Sequence, residues 1–219
     1  PDLVEPGLEI SGEEEYETNS WMLTTAVRET GAVAYRVHSI PDDENELQGV
    51  IEDQLVRADL IIISGERHDD SFALITRTLE KLGSITTVDI AIDSSGRHNY
   101  GTIGPDKTPV VTLPGDPIAA YVSFELLVRP MIRTMLGAAI IHRPSVKARL
   151  EKAVSTTTGV RSYLRGVLSE DGKSVVALAD QEDQATLSDC NAFISVPEGA
   201  GELPAGHEVT VVILERRYI

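Results

Sequence analysis

One run, PVVTLPGDPIAAYVSFELLVRPMIRTMLG from Pro109 to Gly137, constrains this chain more than any other. Val110, Val111 and Leu113 form a β-branched stretch too short for a helix, and Pro114-Gly115 continues neither strand nor helix. Asp116 stands where an N-cap is needed and Pro117 at the first helical position, which together start a helix. Ile118, Tyr121, Val122, Leu126 and Met131 then recur at the spacing of one buried helix face, and Gly137 stops it. Pro130 is expected to kink this helix. In an open α/β sheet a ligand settles beyond the carboxyl end of a strand, where a helix N-terminus offers unbonded amides. The turn from Pro114 to Pro117 is therefore the first place to look for function.

The chain ahead of that run alternates in the same way. Residues 1 to 17 read as an acidic loop, and Thr18-Asn19-Ser20 offers several N-cap choices for a helix carrying Met22, Leu23, Ala26 and Val27, closed by Gly31. Ala32 to His38 has strand composition. Pro41-Asp42-Asp43 opens a second helix with Leu47, Val50, Ile51, Leu55 and Val56 inward. Leu60 to Ile63 is an uninterrupted apolar strand ending at Ser64-Gly65, and a polar loop from Glu66 to Ser71 leads to a third helix through Leu74, Ile75, Leu79 and Leu82, closed by Gly83. Ile85 to Ile92 reads as a strand and Ser94 to Gly104 as a Gly-rich polar loop. Strands alternating with helices predict a doubly wound, parallel α/β sheet to about residue 140.

The texture changes after Ile141. Tyr163 to Leu168, Ser174 to Leu178 and His207 to Leu214 alternate with period two between turn signals at Glu170-Asp171-Gly172 and Gly199 to Gly201. A small all-β barrel or sandwich of roughly five strands follows, with Arg143-Pro144 as the linker.

A formal net charge of −16 over 219 residues argues against nucleic acid and anionic membrane surfaces as partners, since phosphate calls for the opposite field. Cys190 is the only cysteine, which rules out a disulfide framework within the chain and fits a reducing cytoplasm. Nothing in the sequence is apolar for long enough to insert in a membrane, and no signal peptide is read. The chain opens on Pro1 rather than methionine, as a piece of a longer protein would.

Two segments carry a resemblance. Residues 112 to 137, TLPGDPIAAYVSFELLVRPMIRTMLG, resemble the LPGNP-V-S-A…FE…VRP…LG segment of the molybdopterin molybdenumtransferase (MoeA/gephyrin) family, and residues 16 to 31, YETNSWMLTTAVRETG, resemble its Y-x-S-N-S-x-M-L…G helix start. The order of elements matches the carboxyl-terminal half of those proteins. The resemblance implies a three-layer, MogA-like molybdopterin-binding domain with a mostly parallel sheet over residues 1–142, its first strand lying ahead of Pro1, then a small barrel-like β domain over residues 143–219. It further implies a cytoplasmic homodimer that inserts molybdate into adenylylated molybdopterin with Mg²⁺. Carried onto this chain, the family's pterin and molybdate site falls on Gly65, Gly115, Asp116, Pro117 and Arg97, with Asp70 as the catalytic carboxylate and Asp69 and Asp70 as metal ligands.

Each of these residues also has a plain structural reading. Asp116-Pro117 is first a helix cap, and Asp69 and Asp70 complement a helix dipole. His68 and His98 read as exposed loop histidines, with an adventitious metal site shared with nearby Asp as the rarer alternative, Asp93 and Arg97 as a solvent-exposed pair, Trp21 as a core or interface residue, and Cys190 as a small buried hydrophobe. The chain departs from the family where the family reads G-G-V-S-V-G-D-x-D and K-P-G-K-P: Gly65-Glu66-Arg67-His68-Asp69-Asp70 and Asp93-Ser94-Ser95-Gly96-Arg97 stand there instead. Replacing Lys by Asp beside a bound dianion reverses an interaction of about 1–4 kcal/mol per contact pair. These departures support an alternative in which the chain keeps the fold as a gephyrin-like scaffold, of a kind associated with cell division in some bacteria. Its partner peptide would then be sought in a groove between the 118–136 helix and the β domain, against Tyr121, Phe124 and Pro197.

Overall fold

The computed structural model describes residues 3–12, 14–37, 41, 43–66, 69–93 and 95–214, the side chains of residues 66 and 69 excepted. The chain divides into two compact units, Pro1–Asp89 with Arg97–Ala138 and Ile90–Gly96 with Ala139–Ile219.

In the first unit, a two-residue pair β1 (Leu3–Val4) and β2 (Glu15–Tyr16) precedes helix α1 (Asn19–Glu29), helix α2 (Glu44–Leu55), strand β3 (Ile61–Glu66) and helix α3 (Asp69–Leu82). Strands β4 (Gly83–Asp89), β5 (Arg97–Ile103) and β6 (Thr108–Pro114) follow, then helix α4 (Pro117–Ser123), a π-helical turn at Phe124–Val128 and helix α5 (Arg129–Met135). The sheet order is β3-β6-β5-β4. β3 and β6 run parallel, while β5 lies antiparallel to both β6 and β4, so the sheet is mixed. Its two faces bury separate cores: Val111, Leu113, Phe124 and Val128 with α1 on one side, and Ile61, Ile63, Ile75, Leu79 and Val110 with α2 on the other.

Three local expectations are corrected. The segment read as a Gly-rich loop is β5, a full strand whose Gly101 admits the close approach of β4: a Cβ there would lie 2.0 Å from the Ser84 carbonyl oxygen. Residues 32–37 form no strand, because a strand needs a ladder partner and β3 pairs only with β6 among the described residues; residue 38 lies outside them. Val33 and Tyr35 are exposed at 77% and 63%, while Ala32 and Ala34 pack on the α1 core. The strand read over Ile85 to Ile92 is β4, which α3 enters directly at Gly83 and which ends at Asp89.

The disturbance expected at Pro130 is the π turn just ahead of it, where the Arg129 amide reaches back to the Phe124 carbonyl. Proline has no N–H to give and crowds the preceding turn, and the wider turn relieves both.

The second unit is a closed five-strand barrel of β7 (Ser145–Leu150), β9 (Ser162–Leu168), β10 (Ser174–Ala177), β11 (Ala192–Val196) and β13 (Glu208–Ile213), as the period-two alternation predicts. A pair of two-residue strands, β8 (Val154–Ser155) and β12 (Glu202–Leu203), and a single turn α6 (Thr186–Asp189) complete it. Val175, Ala192, Ile194 and Val211 are among the side chains filling its interior. Residues 90–96 belong to this unit: the amides of Asp93 and Arg161 donate to the carbonyls of Arg161 and Ala91, each at 2.9 Å, and Ser162 Oγ donates to Asp93 Oδ2 at 3.1 Å. Asp93 and Arg97, read in sequence as a pair, fall in different units. Cys190 is buried as expected, its thiol 3.5 Å from the Leu187 carbonyl oxygen.

Candidate functional site

Because β3 and β6 are parallel, their carboxyl ends finish on one edge of the sheet, and there α1, α3 and α4 begin. β5 runs the other way, and continuing its register with β6 places Arg97 level with Pro114. The residues singled out in sequence are thereby brought to one edge: Gly65 and Asp70 after β3, Gly115, Asp116 and Pro117 after β6, and Arg97 at the start of β5. They sort by exposure. Gly65, Asp70, Arg97 and Asp116 are exposed, whereas Gly115 and Pro117 are buried and shape the turn.

Gly65 has φ 143°, a backbone conformation that disfavours other residues, and sits at a register shift between Ser64 and Glu66, just ahead of the last pair with β6, Glu66 with Pro114. Asp116 is extended at φ −66°, ψ 126°, and its Oδ1 accepts the Ala119 amide at 2.8 Å, so the helix-cap reading describes its contact here. The Arg97 guanidinium lies 4.5 Å from the Phe72 ring centroid, which holds the cation beside the first turns of α3. Residue 69 opens α3, but its side chain is outside the described residues, as are Arg67 and His68. Among the described residues no group of three or more His, Cys, Asp or Glu side chains is placed to hold a metal ion.

Behind the edge lies a buried polar network that hydropathy does not reveal. His98, read as a loop histidine, is 2% exposed, and its Nδ1 is 2.8 Å from the Thr112 carbonyl oxygen. Burial pushes this imidazole below its ordinary value of 6.5, against the opposing pull of that hydrogen bond. The Asn99 amide donates to Thr112 Oγ1 and its Nδ2 to Thr76 Oγ1, both at 2.8 Å, while Thr87 Oγ1 donates to Asn99 Oδ1 at 2.6 Å. One asparagine thus joins α3, β4 and β6.

Sequence reasoning missed Asn19. It was one of three adjacent cap candidates, yet Thr18 makes no side-chain cap bond, and Glu17 caps α1 instead by accepting from the Ser20 amide at 2.9 Å and from Ser20 Oγ. Asn19 Nδ2 is left to donate to Ser64 Oγ and to the Gly115 carbonyl, both at 2.9 Å, and Ser64 Oγ donates to the Pro114 carbonyl at 3.0 Å. The starts of α1 and α4 and the ends of β3 and β6 are tied at one point. Nearby, Trp21 is 49% exposed, donates to Glu5 Oε2 at 3.0 Å and stacks under Arg36 at 4.3 Å, so it is no core residue. Phe124 is 0% exposed inside the α1 core and cannot meet a partner peptide; Tyr121 is half-buried on the same core, and Pro197 is exposed.

Comparison with known proteins bears on the family and the fold. Residues 6–134 match the family model described as "Probable molybdopterin binding domain", and residues 147–214 match the MoeA C-terminal region (domain IV). Molybdopterin molybdenumtransferase 1 of Mycobacterium tuberculosis is 34% identical over 208 residues, covering 91% of this chain and 49% of that protein. Molybdopterin molybdenumtransferase 2 of the same organism is 28% identical over 221 residues, covering 96% of this chain and 53% of that protein. The crystal structure of the molybdopterin biosynthesis MoeA protein from Pyrococcus horikosii superposes with a TM-score of 0.82 at 28% identity, over 97% of this chain and 52% of that one. The chain spans about half the length of the curated relatives it matches. No helix among the described residues is long and apolar enough to cross a membrane. With one family model covering most of the first unit and another most of the second, the chain belongs to the MoeA family of molybdenum cofactor biosynthesis proteins, carrying its molybdopterin-binding-type domain and its C-terminal region.

Proposed function

We propose that the full protein containing this chain inserts molybdate into adenylylated molybdopterin, and that the sheet edge of the first unit is where it holds the pterin. The observation that carries this reading is the convergence of Gly65, Gly115, Asp116 and Arg97 on one edge of a domain whose family is molybdopterin-binding. The two glycine turns let a ligand approach backbone closely, Arg97 offers a bidentate guanidinium to a phosphate or oxyanion, and Pro117 with the Asp116 cap holds the turn rigid. In this reading Asp70 carries the catalytic carboxylate. Mg²⁺, expected at Asp69 and Asp70, draws no support from the described side chains, and no step is assigned to it. The reading includes a homodimer in the cytoplasm and a functional boundary near residue 142. Titration of the full-length protein with molybdopterin, followed by calorimetry, tests it: micromolar affinity supports the reading, and absence of heat from a folded protein refutes it.

A second reading, a scaffold that keeps the fold and binds a partner peptide, is favoured by one observation. Where the family's loop opens on a lysine this chain has Asp93, which is bonded to Ser162 and Arg161 within the second unit, so that Arg97 is the cation this loop brings to the edge.

A further inference from the structure

We propose that Asn19 is a positioning residue for the ligand edge, its amide setting which way the Gly115–Asp116 peptide faces. The inference rests on the reading that this edge binds the pterin. The orientation of the Asn19 amide is not open to choice. The Gly115 carbonyl can only accept, and the Ser64 hydroxyl spends its proton on the Pro114 carbonyl at 3.0 Å, leaving a lone pair for Asn19. Both neighbours at 2.9 Å therefore demand a donor, and Nδ2 must face them. Oδ1 is consequently turned into the protein, where it is buried with no hydrogen-bond partner among the described residues.

That orphaned acceptor costs stability, and a tether whose only work was to hold α1 against the sheet would not require it. The arrangement makes sense through the turn. In a trans peptide the carbonyl and the following N–H point in opposite directions, so holding the Gly115 oxygen toward α1 turns the Asp116 N–H away from α1. The Asp116 side chain is fixed independently, by its bond to the Ala119 amide at 2.8 Å. Asn19 thus selects the face of the turn that displays a backbone donor, without touching the ligand itself. Aspartate, the same size, cannot do this, since a carboxylate has no hydrogen to give to either oxygen.

The test uses the full-length protein with molybdopterin as the probe, and compares wild type, Asn19→Asp, Asn19→Ala and a control, Leu23→Ala, which weakens the same helix from its buried face. Asn19→Ala serves in case the carboxylate variant fails to fold. At a temperature where each variant is folded by circular dichroism, loss of the amide is expected to raise Kd at least about tenfold, equivalent to about 1.4 kcal/mol, and to shift the Asp116 amide resonance in a ¹⁵N spectrum. Leu23→Ala is expected to lower Tm while leaving Kd and that resonance unchanged. If wild type binds and the Asn19 variants bind as tightly, or the control weakens binding as much as they do, the inference is overturned while the site reading stands. If wild type does not bind, the site reading fails, and an unmoved Asp116 resonance in the Asn19 variants overturns the inference on its own.

Discussion

Replacing Thr112 by valine isolates a single hydrogen bond in the network behind the candidate site. Thr112 is 0% exposed on β6, and its Oγ1 accepts the backbone amide of Asn99 at 2.8 Å, in place of a ladder bond at the end of the β5–β6 pairing. Valine keeps the shape and β-branching but leaves that amide buried with no acceptor. Losing the bond and stranding the donor costs about 2–3 kcal/mol, against which the extra buried methyl returns about 0.8 kcal/mol. The net loss is about 1–2 kcal/mol, a fall in Tm of roughly 3–6 °C for a chain of this size. Thr112→Ser is the matched control: it keeps the acceptor and loses only the methyl, so it should be no worse than Thr112→Val. Urea denaturation followed by circular dichroism, with m unchanged between variants, gives the comparison. A Thr112→Val protein as stable as wild type, or clearly more stable than Thr112→Ser, would refute the claim that the hydroxyl rather than the methyl holds this site in place.

His98 makes stability depend on pH with a defined sign. Burial lowers its pKa in the folded protein below 6.5, so the unfolded chain binds the proton first; its contribution is complete above pH 6.5 and is lost as the pH falls from there toward the folded pKa. Tm should therefore fall more in wild type than in His98→Gln between about pH 7.5 and about pH 5.5, and equal slopes would remove His98 as the cause. Asp116→Ala should cost about 1 kcal/mol through loss of the α4 cap while Asp116→Asn stays near wild type, as read by thermal melts. If Asp70 serves only the dipole of α3, Asp70→Asn should tighten binding of an anionic pterin by roughly 1 kcal/mol, because a negative charge leaves the edge; weaker binding in calorimetry would count against that and for a catalytic or metal role.

How much was legible follows from which forces sequence patterns report. β3, β6 and the helix after Asp116 are written as apolar runs and turn residues, and the structure builds them. β5 was invisible because two of its three buried positions, His98 and Asn99, are polar and are satisfied by Thr112, Thr76 and Thr87, which leaves Ile103 as its one buried apolar residue. Residues 32–37 were over-read for the converse reason: strand composition records which residues suit an extended backbone, here with Ala32 and Ala34 packed on the core, and says nothing of a ladder partner. Among the site residues, Gly65, Asp116 and Arg97 were legible as turn and charge signals. Asn19 was not, although three cap-competent residues in succession, of which at most one can cap, mark the others as available for tertiary hydrogen bonds.

The edge separates what shapes it from what it shows to a ligand, and the two respond to different physics. Gly115, Pro117, Asn19 and Ser64 hold the turn through burial and neutral hydrogen bonds, which salt hardly touches. Arg97, Asp70 and Asp116 are exposed and act through charge, with the carboxylates outnumbering the guanidinium in this described set. Asp116 is anchored to the Ala119 amide and Arg97 is held against Phe72, so neither is a loosely solvated charge. An anion approaching this edge meets a positive group fixed beside an aromatic face and a carboxylate already engaged by a helix amide, an arrangement that favours a ligand bound chiefly through backbone donors and one guanidinium. In the proposed reading the buried set holds the turn that presents the backbone donors and the charged set tunes anion affinity, so substitutions at Arg97 and Asp70 should change chiefly affinity, whereas Asn19 and Asp116, which also hold the turn, should change stability and affinity together.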